Sequence, residues 1–152
     1  MRLLLNAVGR ARKGPERALF DNFAKQVRWP LEVNEVEERR KLPVAQQRQS
    51  EAALLLRGVP DDAVVIALDE RGDTLTSREL AGRIGQWRDD GRACIAFVIG
   101  GADGLDETVR KRADLLLSFG RLTWPHLLVR GMLAEQIYRS QQILAGHPYH
   151  RD

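Results

Sequence analysis

The chain has 152 residues, 43% hydrophobic and 30% charged, with a formal net charge of +3. That length supports one domain with its own core and is too short for two, so residues 1–152 are expected to fold as a single unit. A single cysteine, Cys94, excludes an internal disulfide, and no apolar run approaches membrane-spanning length, so the expected setting is the cytoplasm, with no membrane partner.

In chain order, strand-like and helix-like segments alternate, which predicts an α/β fold with a mostly parallel sheet flanked by helices. Leu3–Val8 reads as a buried strand, followed by the basic loop Gly9–Gly14 and a helix from Pro15. That helix carries Ala18, Leu19, Phe23 and Val27 on one face and ends by Trp29-Pro30. Leu31–Val36 alternates as an edge or half-buried strand does. The polar segment Glu37–Gln49 reads as a mobile loop, whose Arg39, Arg40, Lys41 and Arg48 either meet RNA backbone or simply face solvent. A helix from about Ser50 through Leu56 and a third strand, Val64–Leu68, follow.

Leu68-Asp69-Glu70-Arg71-Gly72 is expected to be a polar turn at that strand's carboxyl end, with Asp69 assigned to a site and Glu70 to the turn. Thr76 with Glu79 matches a capping box, and the helix from Ser77 to about Asp90 carries the core stripe Leu80, Ile84 and Trp87.

Two short, continuous apolar runs come next, Ile95–Ile99 and Leu115–Leu117, as expected of strands covered on both faces. Each stops at a loop of bare backbone, Gly100-Gly101-Ala102-Asp103-Gly104 and Phe119–Pro125. Such loops at the carboxyl ends of neighbouring parallel strands would form a ligand crevice. Neither the dinucleotide fingerprint nor the G-x-x-x-x-G-K-[ST] phosphate loop is present, which disfavours both familiar nucleotide folds.

A long helix is expected from Pro125 to about Ala145, with Glu135 and Arg139 four residues apart on one face and able to pair. The tail Gly146–Asp152 then offers two imidazoles, a phenol and a guanidinium. His126, His147 and His150 lack the spacing of a metal site, and no metal is expected. Most of the cations are arginines, with lysine only at 13, 25, 41 and 111. Arginine forks suit phosphate, but base composition explains the same bias, so charge alone leaves the two readings level.

Phe97–Gly104, Leu122–Arg130, Ala134–Arg139 and His147–Arg151, with Leu68–Gly72 and the opening Leu3–Gly9, resemble the small SPOUT-class methyltransferases. Those enzymes act on the N3 ring nitrogen of a pseudouridine in large-subunit (23S) ribosomal RNA. The likeness covers nearly the whole chain. It implies a SPOUT α/β knot whose carboxyl-terminal part is threaded as a trefoil, something no periodicity reveals. It also implies S-adenosyl-L-methionine as methyl donor, ribosomal RNA on the ribosome as partner, and a homodimer.

The donor residues implied are Leu68, Gly100, Gly101, Phe119, Gly120, Arg121, Leu122, Thr123 and Trp124, recognising adenine and ribose through backbone, with Ile99, Leu122 and Leu127 walling the base. Trp124 replaces a smaller aliphatic residue common in the family, and Phe119-Gly120-Arg121 is an unusual filling of its loop. The tail residues Tyr149, His150 and Arg151 are the implied catalytic set, reaching the partner protomer's donor pocket. His126 is either an alternative base or, preferably, a buried cap for the donor loop; for the long helix the preferred reading is the Glu135–Arg139 pair, and the functional alternative is a homodimer interface with Arg130 or Arg139 facing RNA phosphate. The alternatives are a non-catalytic RNA- or ribosome-binding module and a methyltransferase of the same class with another RNA substrate.

Overall fold

The computed structural model describes residues 1–152. Five strands and five helices alternate: β1 (Arg2–Val8), α1 (Pro15–Ala24), β2 (Leu31–Val36), α2 (Val44–Leu56), β3 (Val64–Asp73), α3 (Ser77–Asp89), β4 (Cys94–Ile99), α4 (Glu107–Arg112), β5 (Leu115–Leu117) and α5 (His126–Leu144). The strands form one parallel sheet in the order β2-β1-β4-β3-β5.

The two-residue period of each strand divides the core into two layers. Leu3, Leu5, Ile66, Ile95, Phe97 and Ile99 point to the side covered by α3 and α5, where they meet Leu80, Ile84, Leu133 and Ile137. Leu4, Val65, Ala67, Cys94, Ala96 and Val98 point to the other side, against Ala52 and Leu55 of α2 and Val109 of α4. The second layer is built from smaller side chains. Cys94 belongs to it as a buried free thiol, and burial raises its pKa, the state of an inert structural cysteine.

The expected capping box is present: the Thr76 hydroxyl accepts from the Glu79 amide at 3.1 Å, and the Glu79 carboxylate accepts from the Thr76 amide at 2.7 Å. β2 is the edge strand its alternation indicates.

Three expectations are corrected, and one helix, α4, lies where no element was assigned. The helix α2 begins at Val44, inside the stretch read as a loop, because Val44–Gln49 presents no apolar stripe and yet consists of residues tolerant of helix. α1 stops at Ala24, and Val27 and Trp29 pack on the core from outside it. The charged segment before β5 contains α4, capped by Asp106 accepting from the Thr108 amide. Finally, β4 and β5 are not neighbours, since β3 lies between them and continues past Leu68 to Asp73, where it pairs with Leu117 after a break in register.

Candidate functional site

The loops leaving β3, β4 and β5 meet at the carboxyl edge of the sheet around a cavity of about 810 Å³. Eight of the nine residues expected to hold a donor line it: Leu68, Gly100, Gly101, Phe119, Gly120, Leu122, Thr123 and Trp124. Arg121 is exposed and does not line it. Although β3 lies between β4 and β5, Leu68–Arg71 at its carboxyl end line the same cavity, so both glycine loops open onto it.

Little room lies behind Gly100 and Gly101 for a side chain. A Cβ on Gly100 would fall 2.8 Å from Leu105 Cδ2 and 3.2 Å from the Gly104 carbonyl oxygen. On Gly101 it would fall 3.0 Å from Val8 Cγ1 and 3.1 Å from Glu51 Oε2. The loop therefore lies flat on the core with bare backbone along the cavity. In the second loop Ser118 is buried, its hydroxyl accepting from the Gly120 amide at 3.1 Å, and the Trp124 indole donates to the Phe119 carbonyl at 3.3 Å. Leu122, 71% exposed, and Trp124, 39% exposed, leave apolar surface at the rim. Ile99 and Val129 line the cavity, whereas Leu127, expected in the wall, faces a separate cavity beside Arg17 and Phe20.

Charged groups edge the site. The Asp69 side chain, 5% exposed, accepts from Arg110 Nε at 2.6 Å and from the Arg71 amide at 2.9 Å. Burial pushes its carboxyl up, yet the hydrogen bonds from Arg110 and the Arg71 backbone outweigh burial and hold it below the usual range. Asp69 is thus engaged in fixing arginines in the wall. His126 opens α5 exposed in that wall, not buried as a cap. Arg48 of α2 also lines the cavity, a placement the sequence concealed because the start of its helix was hidden.

Arg130 is 3% exposed and cannot face RNA. It donates to Glu35 at 2.6 Å and to the carbonyls of Val8 and Gly9 at 3.1 and 2.8 Å, tying α5 to the loop after β1. Burial pushes the Glu35 carboxyl up, but the Ala11 amide and Arg130 pull it below its ordinary value.

The tail is ordered on its own chain and away from the cavity. Tyr149 donates to Glu135 at 2.9 Å, lies edge-on to Tyr138 at 4.8 Å and sits under the Arg139 guanidinium, also at 4.8 Å. Burial first, then Glu135, raises the Tyr149 phenol. His150 has Nδ1 3.0 Å from Arg139 and Nε2 3.0 Å from Asp152, and Asp152 pairs with Arg78 at 2.7 Å. Glu135 and Arg139 do pair, at 2.6 Å. Tyr149, His150 and Arg151 do not line the cavity. Glu135 lines a second cavity of about 520 Å³, which shares Leu117, Phe119 and Gly120 with the first. No helix is long and apolar enough to cross a membrane.

A family model described as a predicted SPOUT methyltransferase matches residues 1–150. A Rhodospirillum centenum protein named ribosomal RNA large subunit methyltransferase H is 62% identical over 151 residues, covering 99% of each chain. The protein of the same name from Paracoccus denitrificans is 52% identical over 160 aligned residues spanning 100% of both. A solved probable methylase family protein from Haemophilus influenzae has a TM-score of 0.55 over 99% of this chain and 70% of that one, at 10% identity, a likeness of fold alone.

Proposed function

This chain belongs to the SPOUT methyltransferase family, and from that premise we propose that it uses S-adenosyl-L-methionine to methylate N3 of a pseudouridine in large-subunit ribosomal RNA on the assembled ribosome. The observation that carries the reading is the convergence of Leu68, the Gly100-Gly101 bend and the Phe119–Trp124 loop on one cavity of about 810 Å³, within the size range of nucleotide-sized ligands.

When bound, the donor supplies a methyl on a positively charged sulfur, already a good electrophile. The chain's work is to bind, to align and to manage one proton. Backbone at Leu68, Gly100 and Phe119–Trp124 would hold purine and ribose, and Ile99, Leu122 and Val129 would exclude water from the base. Alignment of an unstacked base nitrogen by such a frame contributes about 7–11 kcal/mol in favourable cases.

The proton on that nitrogen falls to the tail, with His150 as base and Arg151 and Tyr149 steadying the developing negative charge. The raised Tyr149 phenol suits a hydrogen-bond donor better than a base. His150 Nδ1 is occupied by Arg139, so the imidazole must leave that contact to accept a proton.

We place the tail in the donor cavity of a second copy of the chain. This accords with its absence from the lining of its own chain's cavity and with the face that a homodimer would cover. α1 has no fully buried residue, yet its Leu19 and Phe23 line the second cavity with Met132 of α5. The trefoil threading belongs to the same proposal, supported by the 70–73 segment lying on β5: Ser118 donates its amide to the Asp73 carbonyl at 2.9 Å, and its hydroxyl lies 3.2 Å from the Glu70 carbonyl. Exposed Arg12, Lys13, Arg39 and Lys41, on the loops leaving β1 and β2 at the same sheet edge, would meet RNA phosphates. Ribosomes as substrate place the protein in the cytoplasm.

Transfer of labelled methyl groups to intact ribosomes, to naked ribosomal RNA and to transfer RNA tests the reading. Ribosomes are expected to be labelled well above the other two. Preferential labelling of another RNA overturns the substrate, and absence of donor binding by calorimetry at millimolar concentration overturns the enzyme.

A further inference from the structure

Glu51 is buried as a whole residue, at 6% exposure, and unlike the buried Asp69 carboxyl it has no arginine partner. It lies behind the first glycine loop, its Oε2 and Oε1 3.1 and 3.5 Å from where a Cβ on Gly101 would be. Gln47, one turn earlier on α2, donates to Oε2 at 3.3 Å, and Oε1 has no partner. Burial raises the carboxyl, opposed by Gln47 and reinforced by two like charges, Asp103 in the glycine loop and Glu38 in the segment before α2. Glu38 is itself held ionised by Arg40. No cation offsets them: Arg110 is committed to Asp69, and Arg48 on the same helix lines the cavity.

A buried carboxyl with an unpaired oxygen destabilises a fold, and more so when it is ionised. Gly101, whose added Cβ would meet this carboxyl, itself lines the cavity. A sulfonium nucleoside with an amino-acid side chain carries two positive charges and one negative, so its binding places net positive charge beside that carboxyl. We propose that Glu51 is a positioning residue for the sulfonium nucleotide, propping the Gly100–Gly104 loop and supplying from behind Gly101 the negative charge that balances the ligand. The proposal rests on the donor reading of the cavity.

Linkage fixes the sign. Burial and like charges favour the protonated carboxyl in the free protein, and a cationic ligand favours the ionised form. Donor binding therefore releases a proton, and donor affinity rises as pH climbs through the Glu51 titration.

The experiment is calorimetry of the full chain with S-adenosyl-L-methionine and with S-adenosyl-L-homocysteine, which lacks the methyl and with it the sulfonium charge, from about pH 5 to pH 7.5. Glu51→Gln is expected to weaken the sulfonium ligand about tenfold at the upper end of that range and to flatten its pH slope, leaving the homocysteine ligand within about twofold. Equal loss for both ligands would reduce Glu51 to a structural prop and overturn the proposal, as would unchanged affinity for both. Asp103→Asn supplies a second variant if Glu51→Gln does not fold: removing one like charge should move the midpoint of the slope to lower pH, and an unmoved midpoint overturns the proposal. A parent protein that binds neither nucleotide sinks the donor reading and this proposal together; a parent that binds both, with the variants behaving identically, sinks this proposal alone.

Discussion

At Asp69 burial and pairing pull the carboxyl in opposite directions, and pairing wins because Arg110 and the Arg71 amide both reach it within 3 Å. A carboxyl depressed in the folded state adds stability above its unfolded pKa, near 3.9, and loses it as pH falls through the still lower folded value. Asp69→Asn is therefore expected to cost about 1–3 kcal/mol at neutral pH and less at acid pH, the difference shrinking as the carboxyl protonates. Denaturant unfolding of parent and variant at the two pH values checks this, and an equal difference at both would remove ionisation from the explanation. The sequence showed Asp69 beside a strand end, which suggested a ligand, but its partner stands forty-one positions away. Arg130 misleads in the same way: in sequence it is one more cation on a helix, and only the fold brings Glu35 and two carbonyls to its guanidinium.

Among the elements, those with local causes were legible and those with distant causes were not. The capping box of α3 is written in Thr76 and Glu79 because both halves of the motif lie within one turn. The extension of β3 is different. Glu70–Asp73 has turn chemistry, and it becomes strand only because β5 lies against it. Gly72 marks the contact: a Cβ there would sit 2.5 Å from the Leu116 carbonyl oxygen and 2.9 Å from the Leu117 amide nitrogen, main chain that cannot swing aside. Gly72→Ala should therefore separate β5 from β3 at a cost of about 1–3 kcal/mol or more. A lowered melting temperature with faster amide exchange at Leu117 and Ser118 is the expected result, and unchanged exchange there would show that the edge absorbs the methyl. α2 was half concealed for a simpler reason, since its first turns are exposed and no apolar period announces them.

For the molecule as a whole, α1 and α5 present Leu19, Phe23 and Met132 in one cavity beside the ordered tail. If this face joins two copies, Phe23→Arg should yield a monomer in equilibrium sedimentation. It should also lower methyl transfer on the order of 100-fold by withdrawing the tail from the partner's site, with donor affinity retained. A monomer with full turnover would place the tail's action within its own chain. By itself the sequence determined the alternation of strands and helices and the two bare loops at Gly100 and Gly120, because hydrophobic period and glycine spacing are local properties. Only the tertiary structure decided that β3 lies between β4 and β5, that Arg121 and Leu127 stand outside the cavity, that the tail folds onto Glu135 and Arg139, and that Glu51 is buried behind Gly101. Those outcomes depend on which distant surfaces meet, and the free energy of such a contact resides in both partners together, with no mark on either residue alone.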